Sequence, residues 1–488
     1  MDKLPVELIE KIVSFLPYKG LHRFASISKK WQDPVERRTW ACIRIAGGRD
    51  YLDDITHLFL RAFNFSGRRR TYLHTLKFAL LVKYTKDNVH DTIGQFQEFT
   101  ASISRDIMLL FMHLRRFDYY DHIQGIRTGG RNGLTLELGW VIPVLADKLE
   151  PESYVGGFAL LDGFKTAIRP ARCVSRLVLH TVSHGLDEVP EGMSLEARAA
   201  IQLAALLPRM KRLEIVSKAE LYSTSDPERL KAVLHTGDRA QLIPELYDAA
   251  YLTGSSCTEV SLSLEKHVED AITNVDGQPV FLLPDGNYDS VSPGIRMWSH
   301  NLVSLDLSGV FGETLFWPGE SERVETSTPP ASLWPTLKKL HVKLLCLAPA
   351  GSWYFDASDE SSHRNNPCND TPQPVFKSWA KALKAMPVIE QATIRWSLKF
   401  DTPQPATERD WLVGFQAPDT SLDPKRHTWE GNVTADMRQS PRLIFQNDNG
   451  WRPYDSTMRK LRKMGSEKFP DKDMIELEVD KFGNVTKV

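Results

Sequence analysis

The chain has no excess of charge of either sign. Its 488 residues carry 61 Lys and Arg against 62 Asp and Glu, a net charge of −1. A uniformly basic nucleic-acid binder and an acidic, solvating chain are both excluded. Cysteine is scarce: Cys42, Cys173, Cys257, Cys346 and Cys368 are odd in number and widely spaced, with no C-x-x-C pair. Neither a disulfide framework nor a zinc cage is implied, and a reduced compartment, cytoplasm or nucleus, fits. Long apolar runs are missing too. The first residues are broken by Asp2, Glu7, Glu10 and Lys11, unlike a signal peptide. The most apolar later stretch, Gly133 to Ala146, contains Glu137 and Pro143 and is too short to span a bilayer. A soluble chain with no membrane and no nucleic-acid partner is expected. With 42% hydrophobic and 25% charged residues it is compositionally globular, and its length suggests about three domains.

Catalytic signatures are also missing. There is no phosphate-cradling Gly-x-x-x-x-Gly-Lys-Ser/Thr, no His-Glu-x-x-His and no Gly-x-Ser-x-Gly. Gly129-Gly130-Arg131-Asn132-Gly133 precedes a strand pattern, so it reads as a turn; a phosphate cradle needs a helix N-terminus. Cys346, Cys368, His341 and His363 could be drawn as a metal set, but Cys346 sits in the apolar run Leu344 to Leu347 and reads as a buried thiol. No catalytic residue, metal or cofactor is expected. The basic runs Arg68-Arg69-Arg70 and Arg459, Lys460, Arg462, Lys463 read by default as solvated faces.

What is present begins at the N-terminus. Pro5 suits the first turn of a helix and Glu7 its positive end. Leu8, Ile9, Ile12, Phe15 and Leu16 follow at spacings of three and four, which makes a wide apolar stripe. Pro17-Tyr18-Lys19-Gly20 ends this helix. A second is expected from Leu21 to about Trp31 and a third from Pro34 to Arg44. So few residues cannot bury this much apolar surface alone. The helices cap the following domain or dock on another protein.

Leu4-Pro5-x-Glu7-Leu8-Ile9-x-x-Ile12-x-x-Phe15-Leu16-Pro17, then Leu21-x-x-Phe24 and Ile27-Ser28-Lys29-Lys30-Trp31, resemble the F-box over residues 3–45. Two positions depart from the family pattern: Gly20 stands where Asp is frequent, and Ile27 replaces Val. The resemblance implies a substrate receptor of an SCF-type cullin–RING ubiquitin ligase, non-catalytic, binding a Skp-family adaptor and through it a cullin. Leu4, Pro5, Leu8, Ile9, Ile12, Leu16, Leu21 and Trp31 are the apolar groups available for the adaptor. An F-box scaffold that does not direct degradation is the alternative, and an enzyme with a loop-built site a third possibility.

Downstream, apolar-x-x-apolar-x-apolar recurs at Leu73, Leu114, Val174, Met210, Cys257, Leu302, Leu337 and Ile389, at intervals of 35 to 60 residues. Helical patterns at 93–114, 195–207 and 376–386 alternate with it. This is an α/β chain, and the alternation resembles a degenerate leucine-rich-repeat solenoid, with intervals longer than that repeat's usual length. The layout is also similar to filamentous-fungal F-box proteins. The expected organisation is an F-box at 1–45, a solenoid at 46–399 and an irregular C-terminal cap at 400–488. Pro- and Ser-rich stretches at 318–332, 356–374, 402–407 and 418–424 read as surface loops. On the strands, residues between the buried positions face the other way. Those expected to meet a protein substrate are Arg116, Tyr120, Arg176, His180, Arg212, Lys339, His341 and Arg395.

Overall fold

A computed structural model of the chain describes residues 4–46, 63, 67–81, 92–141, 156–158, 168–180, 193–195, 197–216, 246, 256–263, 289, 291–319, 334–357, 364–400, 407–423, 427–447, 450–480 and 482–488. It divides into two compact units, Met1–Tyr222 and Ser223–Val488.

The first unit opens with α1, Val6–Phe15, a 3-10 turn at Leu21–Ser26, and α2, Lys29–Ala41. Three separate α-helices were expected; there are two and a tighter turn. Gly20, at φ 88°, supplies no capping side chain, and the six residues after it wind as 3-10. The third expected helix starts earlier than Pro34, at Lys29, so α2 runs through Pro34, whose missing N–H costs it one hydrogen bond. Ile9, Val13, Leu21, Trp31 and Val35 form the core of this box, with Leu4, Leu16, Phe24 and Ala25 packed at its margin.

α2 passes directly into β1, Cys42–Ala46. Then follow α3 (Gly67–Tyr72), β2 (Thr75–Leu81), α4 (Thr92–Gln124) and β3 (Leu134–Val141). After them come β4 (Gly156–Phe158), β5 (Val174–His180), β6 (Met193–Leu195), α5 (Ala197–Ala205) and β7 (Arg212–Val216). β1, β2, β3, β5 and β7 pair in parallel in that order, while β4 and β6 pair separately. One row of the register, Leu76–Leu136–Leu177–Leu213, is fully buried, as period-two alternation requires.

Leu114 to Tyr119 is not the strand expected there. It lies in the 33-residue α4, because Ile103, Ile107, Leu110, Phe111, Leu114 and Phe117 continue one buried stripe at helical spacing. The strand is instead β3, directly after the glycine run Gly129–Gly133, where a strand was expected.

In the second unit come β8 (Glu259–Ser263), α6 (Val291–Trp298), β9 (Ser304–Gly309), β10 (Lys339–Leu344) and the antiparallel pair β11 (Phe355–Ala357) and β12 (Arg364–Pro367). They are followed by α7 (Pro372–Ala385), β13 (Gln391–Phe400), β14 (Thr407–Gln416), α8 (Ala435–Gln439), β15 (Arg442–Gln446), α9 (Asp455–Lys468), β16 (Ile475–Val479) and β17 (Val485–Lys487). β8, β9, β10 and β13 are parallel; β14 turns the sheet antiparallel on both its sides. Trp396 packs edge-on to Trp411 with centroids 5.1 Å apart, against Tyr354, Phe355 and Phe376.

The expected leucine-rich-repeat solenoid gives way to a mixed α/β fold. One repeat position is helical, the spacing of the strands is irregular, and the C-terminal strands change direction. The loop expected at 356–374 holds β11, β12 and the start of α7. Of the loops expected at 318–332 and 402–407, residues 320–332 and 402–406 lie outside the described residues. No described helix is long and apolar enough to cross a membrane.

Candidate functional site

The apolar stripe of α1 is wider than the surface that covers it. Ile9 and Val13 point inward to Leu21, Trp31 and Val35. The neighbouring row Leu8, Ile12 and Phe15, spaced by four and three, stays outside, and Phe15 is 79% exposed. Val6, Tyr18 and Ile27 are also exposed. The Tyr18 hydroxyl donates to the Arg38 carbonyl at 2.6 Å, and the Arg38 guanidinium lies 5.5 Å from the ring centre, so the ring is held in place. Burial raises the Tyr18 pKa, and the phenol stays protonated.

Of the eight apolar groups expected at an adaptor surface, Pro5, Leu8 and Ile12 are exposed and Leu4 and Leu16 half-buried. Ile9, Leu21 and Trp31 are interior, with the indole stacked on Phe24 at 6.3 Å. Sequence reasoning missed Val6, Phe15, Tyr18 and Ile27 as surface groups. Phe15 was legible as the next step of the row 8, 12, 15.

The box is fastened to the sheet behind it. Arg37 pairs with Glu10 at 2.8 Å and Asp33 at 2.7 Å. Asp33 also receives Arg68 and the Tyr72 hydroxyl, both from α3. Arg69 pairs with Glu36 at 3.2 Å and stacks 4.9 Å over Trp40. Arg70 is fully buried and donates to the Phe63 carbonyl at 2.6 Å. The run Arg68–Arg70 is therefore a strap between the box and α4, in place of the solvated face expected.

Residues 1–33 match the F-box domain family. The chain carries an F-box. No curated protein matches the chain as a whole. The F-box is a protein-interaction domain, and its packed half and exposed half are the two rows of α1 described above.

The expected substrate residues do not form one band. Arg116 and Tyr120 belong to α4 and not to a strand, for the reason given above. Arg176 and Arg212 are register partners in the first unit, and both meet Glu214, at 2.6 and 3.4 Å. His180 stands in register with Gly139 and Val216. Lys339, His341 and Arg395 share the polar face of the second unit's sheet, where His341 Nδ1 lies 2.8 Å from the Thr393 hydroxyl. Among the described residues no three His, Cys, Asp or Glu are placed to hold a metal, and His363 lies outside them. Cys346 is half-buried and not interior, and the Cys368 thiol donates to the Trp353 carbonyl at 3.2 Å. Gly129, at φ 75°, folds so tightly against Gly133 that a Cβ would meet its carbonyl carbon at 2.2 Å. This run is a turn before β3.

Proposed function

We propose that the chain is the substrate-recognition subunit of an SCF-type cullin–RING ubiquitin ligase. The observation that carries this reading is the apolar row Leu8–Ile12–Phe15, exposed on a helix that buries only Ile9 and Val13. Contiguous apolar surface on a folded chain marks an interaction site, and a central aromatic with aliphatic neighbours suits a binding hot spot. Pro5, Val6, Leu8, Ile12, Phe15, Tyr18 and Ile27 would meet a Skp-family adaptor, which links the chain to a cullin. Ile9, Leu21 and Trp31 would act indirectly by holding the shape of the box.

The exposed strand faces would hold a protein substrate near the conjugating enzyme. The rate gain is positional, through raised effective concentration, and this chain does no bond chemistry. Arg176 and Arg212 in one unit and Lys339, His341 and Arg395 in the other are the strand-face groups we assign to that partner.

The test is co-expression of the full chain with a Skp-family adaptor and a cullin. The wild type is expected to co-purify with both, and L8D/F15D to lose both while keeping its circular dichroism. A wild type that captures no adaptor overturns the reading.

A further inference from the structure

A cavity of about 750 Å³ opens in the first unit, where the C-terminal part of α4 meets the segments that lead into β3, β5 and β7. Arg115 reaches it from α4, Arg127 from before β3, Arg169 and Arg172 from before β5, and Arg209 from before β7. Among the described residues none of these five guanidiniums has a hydrogen-bond or ion-pair partner.

Two carboxylates, Asp118 and Asp121, stand in the same wall, but their oxygens are engaged elsewhere. Asp118 accepts the Arg172 backbone N–H at 2.5 Å. Asp121 accepts the Thr128 N–H at 2.6 Å, its hydroxyl at 3.1 Å and Arg70 at 3.3 Å. They tie the cavity's walls together and leave the arginines unpaired. Five arginines against two aspartates give the lining a formal charge of +3. All five arginines are solvent-exposed, and charges of one sign lining a cleft raise the local concentration of counter-ions, so an entering anion is favoured.

We propose that this cavity is a binding site for a multiply phosphorylated ligand. The guanidinium fork matches phosphate oxygens in pairs. One phosphate monoester carries about −1.5 to −2 at neutral pH, too little for the lining, whereas two match it. The volume also exceeds a lone phosphate and falls in the range of small-molecule pockets. Tyr119, Ile126, Pro170 and Pro208 supply apolar wall for whatever carries the phosphates. Two phosphorylated side chains of a peptide and a free oligophosphate present the same oxygens, and the two are separated by experiment. The site does not rest on the adaptor reading, because it shares no residue with the α1 row.

The test is calorimetric titration of the full chain with inorganic tripolyphosphate, with a peptide bearing two phosphoserines, and with sulfate as reference. At least one phosphorylated probe is expected to bind more tightly than sulfate, and to weaken at least about tenfold in R169Q/R172Q and in R115Q/R209Q. Tighter tripolyphosphate assigns a free anion; tighter peptide assigns a phosphorylated protein segment. The better probe should raise the thermal midpoint of the wild type and not of the variants. Adaptor capture should be the same in all three proteins. Neither probe exceeding sulfate, or binding unchanged in both variants, overturns the proposal.

Discussion

Arg70 and Asp121 meet inside the first unit, the fully buried guanidinium 3.3 Å from a carboxylate that is itself mostly covered. The pair joins α3 to the end of α4, and Tyr120 lies under the same guanidinium at 5.3 Å. Removing one partner strands the other charge in the interior, at about 3–5 kcal/mol. R70M should therefore lower the urea midpoint markedly. R68A removes an exposed neighbour and should cost about 1 kcal/mol or less. Equal midpoints for the two variants would mean that Arg70 carries no special weight.

The box offers a sharper contrast. Trp31 is buried in its core and Phe15 stands almost free. W31A should cost about 3–5 kcal/mol through the cavity it leaves. F15S should stay within about 0.5 kcal/mol of the wild type. Adaptor binding should fall in both, but for F15S the loss should appear with an unchanged melting curve. A destabilised F15S would place Phe15 in the fold and not on its surface.

The box was legible because its apolar spacing and its stop at Pro17-Tyr18-Lys19-Gly20 act locally. Most strands were legible too, since Leu-x-x-Leu-x-Leu at Leu302 already alternates. Leu114 misled because an apolar pair three apart suits a helix as well as a strand; only the upstream run from Ile103 decides between them. Arg70 was illegible because burial depends on Phe63, Asp121 and Gln124, from 7 to 54 positions away. The cavity arginines were missed for a similar reason. They come one or two at a time from four segments, and no long basic run announces them.

His113 on α4 couples this unit to pH. Burial first, and the Arg116 charge second, push its pKa down from 6.5 to about 4. The unfolded chain takes up the proton near 6.5, while the folded chain resists it until about 4. The neutral imidazole's share of stability is thus present above 6.5 and is lost as the pH falls toward 4. H113Q carries no such proton. The difference in urea midpoint between wild type and H113Q should shift against the wild type between pH 7 and pH 4.5. A difference that stays constant across that range would refute the shift.

In the second unit Glu430 and Arg442 are both buried, at 1% and 0% exposure. Burial raises the Glu430 pKa, and Arg442 is the strongest influence holding it down. Burial lowers the Arg442 pKa, and Glu430 is the strongest influence holding it up. Each charge offsets part of the other's burial, although no hydrogen bond joins the two side chains. Arg442 is also anchored, donating to the Thr420 carbonyl at 2.5 Å, so it cannot swing out to water when Glu430 is neutralised. E430Q and R442M should each cost about 3–5 kcal/mol. The double variant should cost less than the two together, by about 1–3 kcal/mol of coupling. A cycle of urea denaturations followed by tryptophan fluorescence measures that term. Strict additivity would mean that the two charges do not sense each other.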